Sequence, residues 1–380
     1  MKSIDLVKEN KVNRVIDLFS GCGGFSVGFK RAGFEIVKAV EFDKTISESY
    51  IYNHPDTLMI NKDIREIDNR DYFSPEEADV IIGGPPCQGF SMAGSRIRNG
   101  FIDDDRNYLF KHYFNIVKLV KPKVFLMENV KGILSMKNGS IFNEISKVFS
   151  DPSNFNGDRY YLQHIVVNSK DYGIPQNRER VIIIGVLNQD INLNELILKT
   201  KKRILQEIPT YFDRVTLRDA IKNLPLPTEE GICENIVYNN PYLEFVSSES
   251  GKTYNHTATK HSKKALERIR KIEIDENYRK LDEKINSIHS GSYGRLNYDG
   301  IAQTITTRFD TPSGGKFIHP EQNRTITPRE AARIQGFPDD FKFIGNKTSV
   351  CKQIGNAVPV KISYFYATLT RGILYEYFDR

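Results

Sequence analysis

The chain has 380 residues, of which 39% are hydrophobic and 27% charged, and a formal net charge of +6. That length suits one sizeable domain plus a smaller one, because single cores stop growing at roughly 250–300 residues. No apolar run approaches the roughly 20 residues that cross a bilayer, so a membrane-spanning chain is excluded at this stage.

Met1-Lys2-Ser3-Ile4-Asp5 lacks the apolar segment of a signal peptide, and an intracellular, cytoplasmic protein is expected. Val12 to Phe19 is mostly apolar and runs into Ser20-Gly21-Cys22-Gly23-Gly24-Phe25-Ser26. Phe25, Phe29 and Ala32 then recur at helical spacing up to Gly33, so the order strand, glycine turn, helix is predicted. Further strands are predicted at 34–40, ending at Glu41-Phe42-Asp43, and at 57–60, ending near Asp63-Ile64. The β-branched run Val80-Ile81-Ile82 stops abruptly at Gly83-Gly84-Pro85-Pro86-Cys87, a buried strand entering a rigid loop. A polar loop from Met92 to Asn107 precedes a helix at 108–120 and the strand 124–127, which ends at Glu128-Asn129-Val130. A helix at 141–149 and strands at 160–167 and 181–187 follow. This alternation argues for an α/β fold with a doubly wound, mostly parallel, Rossmann-like sheet. From about Asn188 to Tyr298 the rhythm breaks into short mixed segments with basic clusters at 201–203 and 260–271. A first domain of 1–187, a smaller mixed domain over 188–304, and a segment of 305–380 returning to the first are expected. In the last part, Thr327-Pro328-Arg329-Glu330 reads as a capping box opening a helix, and 358–378 as a long terminal helix.

Four cysteines, Cys22, Cys87, Cys233 and Cys351, are widely spaced with no C-x-x-C pair, so neither a disulfide framework nor a zinc site is expected. Gly21-x-Gly23 would open a dinucleotide fingerprint, but the third glycine position holds Ser26. With Glu41 about 20 residues on, the pattern indicates an adenosine-type ligand more than a phosphate. Cys87, at a strand end facing the ligand crevice, is either a small packed hydrophobe or a presented nucleophile. A carboxyl group at Glu128 and guanidinium groups at Arg178 and Arg180, also at strand ends, give such a thiol partners for acid–base chemistry.

Taken with these groups, the sequence strongly resembles the cytosine-C5 DNA methyltransferases of restriction–modification systems. The matching segments are Asp17-Leu18-Phe19-Ser20-Gly21-Cys22-Gly23-Gly24-Phe25, Gly84-Pro85-Pro86-Cys87-Gln88-Gly89-Phe90-Ser91, Glu128-Asn129-Val130, Gln176-x-Arg178-x-Arg180, Arg329 to Asp339, and Gln353 to Pro359, in the family's order. The resemblance implies methylation of C5 in a flipped-out cytosine of duplex DNA, with S-adenosyl-L-methionine as methyl donor. It makes Cys87 the nucleophile at C6, Glu128 the group at N3, Arg180 the ligand of O2, and Arg178 a support for Glu128 and nearby backbone. Cofactor contacts are implied at Phe19, Gly21, Gly23, Glu41, Phe42, Asp63, Ile64, Pro86, Leu109 and Asn356. Of these, Phe19 would stack on adenine, Glu41 bind the ribose, and Asp63 bind the adenine amine. DNA contacts are implied at Ser91, Arg96, Arg98 and Thr304, the first three in a closing loop. Lys263, Lys264, Arg268 and Arg270 are phosphate candidates, although a charge run is more often a solvated helix face. No metal is implied. The expected partners are double-stranded DNA and a cognate restriction endonuclease, with the chain a monomer associated with the nucleoid.

Other readings of the residues are weaker. A zinc deaminase needs P-C-x-x-C, and Phe90 occupies its second cysteine position. An NAD-dependent oxidoreductase leaves Cys87, Glu128 and Arg178 without a joint purpose. A transfer RNA methyltransferase of the same family would use the same constellation, and an inactive DNA-binding regulator would be expected to lack Cys87.

Overall fold

The computed structural model describes residues 12–86, 108–283, 285 and 290–379. Its main elements in chain order begin with β1 (Arg14–Leu18), α1 (Gly24–Arg31), β2 (Glu35–Val40), α2 (Lys44–Asn53), β3 (Leu58–Ile60) and β4 (Val80–Gly83). Next come α3 (Tyr108–Val120), β5 (Val124–Val130), α4 (Ser140–Ser150), β6 (Tyr160–Asn168), the two-residue β7 (Gln176–Asn177) and β8 (Glu179–Leu187). The chain continues through α5 (Leu193–Glu207), α6 (Lys263–Arg270), α7 (Pro328–Ile334), α8 (Lys347–Asn356) and α9 (Val360–Tyr377).

Seven strands form one sheet in the order β3-β2-β1-β4-β5-β8-β6. All pairings from β3 to β5 are parallel. β8 is the exception, antiparallel to both β5 and β6. The sheet is therefore doubly wound and mostly parallel, as the alternation predicts. Reversal of β8 matters for the site, because it brings the start of β8 to the edge where the parallel strands end.

Burial on both faces explains why the strands are continuous aliphatic runs. Val80, Ile82, Val124, Leu126, Ile182 and Ile184 face one core with Phe365 and Leu369 of α9. Ile81, Phe125, Met127, Val181 and Ile183 face the other core with Ile116 and Val117 of α3 and Ile145 of α4. The strand order turns between β1 and β4, where loops leave in opposite directions and open a crevice. The glycine turn follows β1 and the Pro-Pro loop follows β4.

Helix α5 was not expected in the stretch after Asn188. Leu193, Leu196, Ile197 and Ile204 nevertheless lie at helical spacing and bury in the core shared with α9, while Lys201, Lys202 and Arg203 stay exposed. Among the described residues no helix is long and apolar enough to cross a membrane.

Around α7 the packing depends on buried arginines as well as on an apolar core. Thr327 and Glu330 form the predicted capping box. Arg324 pairs with Glu330 at 2.7 and 2.8 Å, and Arg333 pairs with Asp339 at 2.5 and 2.8 Å. Arg333 also donates to the carbonyl of Ala220 at 3.0 Å, and Arg329 to that of Tyr254 at 2.6 Å. One short helix thereby fixes segments distant in sequence. Replacing Asp339 by Ala leaves the fully buried Arg333 without its counter-ion, and an expected loss of about 3–5 kcal/mol in unfolding free energy follows. Urea denaturation followed by circular dichroism measures it; a loss below about 1 kcal/mol contradicts the assigned role.

Candidate active site

The glycine turn is shaped by what lies behind it. Gly23 has φ +98°, and a Cβ there would stand 2.4 Å from Nε2 of the buried His54. Ser26, in place of the third fingerprint glycine, donates to Asp17 Oδ2 at 2.6 Å and shares a 2.7 Å hydrogen bond with the Tyr50 hydroxyl. Burial pushes Asp17 up to about 7, and the polar chain joins β1 to α1 and α2. The close approach that a third glycine would allow occurs instead at Gly28, whose Cβ would meet Ser363 of α9 at 2.3 Å.

In front of the turn the crevice is open and polar. Gly21 has nothing within 4 Å of its Cβ position. The Gly21 amide donates to Glu41 Oε2 at 3.1 Å, and the Asp43 amide to Glu41 Oε1 at 2.9 Å. Those bonds aim the carboxylate, while burial raises its pKa. Phe42 beside it is 65% exposed, and Phe19 is half-buried with φ +57°. Asp63 caps the turn Ile64–Glu66 and is held by Arg65, which lowers its pKa; Ile64 is buried. Leu109 packs at the margin of the second core. Pro86 and Asn356 are exposed.

On the other side stand β5 and β8. Glu128 is paired across with Ile182, and Val130 with Arg180, so Glu128 and Arg180 project from the same face at diagonal positions. Arg180 Nε lies 3.0 Å from Glu128 Oε1. Burial raises the Glu128 carboxyl, against the pull of Arg180 and Arg178, and burial prevails. Gly84 lies alongside, its Cβ position 3.5 Å from Glu128 Oε2. Asn129, part of the Glu128-Asn129-Val130 segment but assigned no role of its own there, donates from Nδ2 to the Pro85 carbonyl at 3.0 Å. The loop leading to Cys87 is thereby tied to the strand that carries Glu128.

Arg178 is expected to support Glu128 and nearby backbone, and its hydrogen bonds go to backbone alone. Nη1 donates to the carbonyls of Ile305 at 3.2 Å and Gly355 at 3.0 Å, and Nη2 to that of Ala357 at 3.2 Å. Glu128 is held by Arg180 instead, and Arg178 acts on it through charge at longer range. Thr304 donates to the Asn177 carbonyl at 3.0 Å, beside the two-residue parallel pairing of 302–303 with β7. Gln176 and Gln335 share a buried side-chain hydrogen bond of 2.8 Å, another link that composition and motif spacing do not reveal. Arg268 of α6 is engaged with Glu283 at 2.6 and 2.8 Å; Lys263 and Lys264 are exposed. Cys87, Ser91, Arg96 and Arg98 lie outside the described residues. Among the described residues no group of His, Cys, Asp or Glu could hold a metal ion.

The sequence pattern of the C-5 cytosine-specific DNA methylases matches residues 13–369. The chain belongs to that family. Among its relatives, the type II methyltransferase M.DdeI of Desulfomicrobium norvegicum is 36% identical over 373 residues, covering 91% of this chain and 85% of the relative. The type II methyltransferase M.NgoPII of Neisseria gonorrhoeae is 36% identical over 373 residues, covering 95% of this chain and 96% of the relative. A solved DNA modification methyltransferase encoded within an Escherichia coli prophage superposes with TM-score 0.72 at 30% identity, covering 96% of this chain and 99% of that one. Dnmt2 of S. pombe, at 17% identity and TM-score 0.62 over 95% of this chain and 99% of that one, shares the fold.

As a C-5 cytosine-specific DNA methylase, the chain is a DNA (cytosine-5)-methyltransferase and its methyl donor is S-adenosyl-L-methionine. The crevice fits that donor. An aromatic ring at Phe42 stands exposed beside the anchored Glu41 carboxylate, and the space before Gly21 is open. Gly23→Ala tests the geometry behind the turn: left-handed strain plus the clash with His54 cost about 2 kcal/mol or more. It also weakens binding of S-adenosylhomocysteine, read by calorimetry. Unaltered stability and affinity would show that the turn does not depend on this glycine.

Proposed function

We propose that the protein methylates C5 of a cytosine flipped out of duplex DNA, after Cys87 has added covalently to C6. The observation that carries this reading is the Glu128–Arg180 pair beside the Pro85 loop, with Asn129 holding the Pro85 carbonyl. Three chemical demands meet there. Cytosine C5 is a weak nucleophile until a group adds at C6, and a cysteine thiolate supplies that group. Addition pushes electron density into the ring, and a carboxyl group at N3 offsets it if protonated. Burial of Glu128 favours that protonated form. Arg180 then hydrogen-bonds O2, and the two guanidinium groups favour the thiolate of Cys87. Release of the C5 proton and elimination of Cys87 restore the aromatic ring.

S-Adenosylmethionine supplies, when bound, an electrophilic methyl group on a sulfonium sulfur. Glu41 would receive the ribose hydroxyls, Phe19 and Phe42 would flank the adenine, and Asp63 with the Ile64 amide would meet its edge. Gly21 and Gly23 would keep the turn clear, Pro86 and Leu109 would line the pocket, and Asn356 would lie near the methionine part. Because a duplex hides its bases, the target must leave the stack to reach Glu128. We assign closure over it to the loop with Ser91, Arg96 and Arg98, backbone contact to Thr304, and sequence reading to 188–304. The type II designation of its relatives supports an endonuclease partner acting on the same site, and we take the enzyme to act as a monomer.

Tritium transfer from labelled S-adenosylmethionine to duplex DNA tests the reading. Transfer to duplex DNA is expected, and transfer to RNA alone would contradict it. Glu128→Gln is expected to slow turnover by about 10²–10⁴-fold with little loss of DNA affinity. The wild-type rate should fall as pH rises through the elevated Glu128 pKa, because the acid form is the active one. Glu128→Gln should lose that dependence; equal loss of DNA binding and turnover would assign Glu128 a structural role.

A further inference from the structure

Lys352 lies on α8, which packs against α2. Its Nζ is 3.4 Å from Asp43 Oδ2 and stands over the Phe42 ring, 5.7 Å from the centroid. Asp43 is itself fixed: Oδ1 accepts the amides of Thr45 at 3.1 Å and Ile46 at 3.3 Å, capping α2. Its own amide donates to Glu41. One ammonium group therefore addresses Phe42 and Asp43, and its charge reaches the Glu41 carboxyl as well.

An exposed Lys–Asp pair contributes little by itself. Here the third member changes the argument. Phe42 is 65% exposed, and no other aromatic ring packs on it among the described residues. Such a side chain exchanges readily between staggered rotamers, whereas a platform for stacking must stay in one. A cation over one face of the ring holds it by electrostatic attraction to the π system and leaves the other face free. Lys352 can do this because its helix is anchored nearby, through the Gly355 and Ala357 carbonyls that accept from Arg178.

We propose that Lys352 is a positioning residue for the adenosine half of the methyl donor, acting by fixing Phe42 and Asp43. The proposal rests on the assignment of Glu41 and Phe42 as adenosine contacts. It adds a cation at the mouth that never touches the reacting atoms.

The full chain contains no tryptophan, so Phe42→Trp provides a single fluorescent reporter at the ring itself. With S-adenosylhomocysteine as probe, Lys352→Ala is expected to weaken binding by about three- to tenfold. Lys352→Arg, which keeps the charge and can stack, should bind as the wild type does. In the Phe42→Trp background, saturating probe should quench the emission, and adding Lys352→Ala should reduce the amplitude of that quenching. Unchanged affinity and amplitude in Lys352→Ala, or a loss that Lys352→Arg does not rescue, overturns the proposal. So does an equal loss from Lys352→Ala when Phe42 and Asp43 are both already Ala, because the lysine would then act by another route. Phe42→Ala alone separates the two levels. If it leaves probe affinity unchanged, the adenosine assignment fails; if it weakens binding while Lys352→Ala does not, the role of Lys352 alone fails.

Discussion

Arg178 is the constraint on which the arrangement of the site depends. Its side chain is almost wholly buried, and burial lowers its pKa to about 9. A buried guanidinium persists only where acceptors replace its lost hydration. Three backbone carbonyls do so, from Ile305, Gly355 and Ala357, and hydrogen bonds to a charged donor are each worth about 1.5–3 kcal/mol. Those carbonyls belong to two separate segments, one at Ile305 and one at the end of α8. Arg178 precedes β8 immediately. The guanidinium thus fixes the start of β8, the segment at Ile305, and the end of the helix carrying Lys352 and Asn356 at one point.

The consequence is a division of labour between two arginines two residues apart. Arg178 is spent on backbone, while Arg180 remains at the crevice against Glu128. Glu128 experiences opposed influences, burial raising its pKa and both guanidinium groups lowering it, with burial prevailing. A bound base would cover the carboxyl further and strengthen the same bias. The antiparallel course of β8 makes this possible, because a parallel strand would deliver its other end to the crevice.

Much of this was legible in the sequence because it is local. The aliphatic runs around Val80, Val124 and Val181, the glycine turn, and the Thr327–Glu330 box each follow from short-range patterns, and the structure has them where the patterns place them. Contacts that join distant segments were not legible. No periodicity says that Arg178 reaches Gly355, that Asn129 holds Pro85, or that Lys352 meets Asp43, since these depend on how completed elements pack. Helix α5 is an intermediate case. Its apolar positions follow helical spacing, but the run of three basic residues in its middle masks that period, because all three lie exposed.

The proposed chemistry rests on a covalent bond between Cys87 and the target ring, and that bond can be trapped. A duplex carrying 5-fluorocytosine at the methylated position blocks loss of the C5 substituent, so the enzyme cannot release the ring after adding to it. Incubation with S-adenosylmethionine should give a denaturation-resistant protein–DNA complex, and mass spectrometry of its peptides should place the modification on Cys87. A chain that methylates ordinary duplex DNA but forms no such complex, or forms it at another residue, would contradict the account.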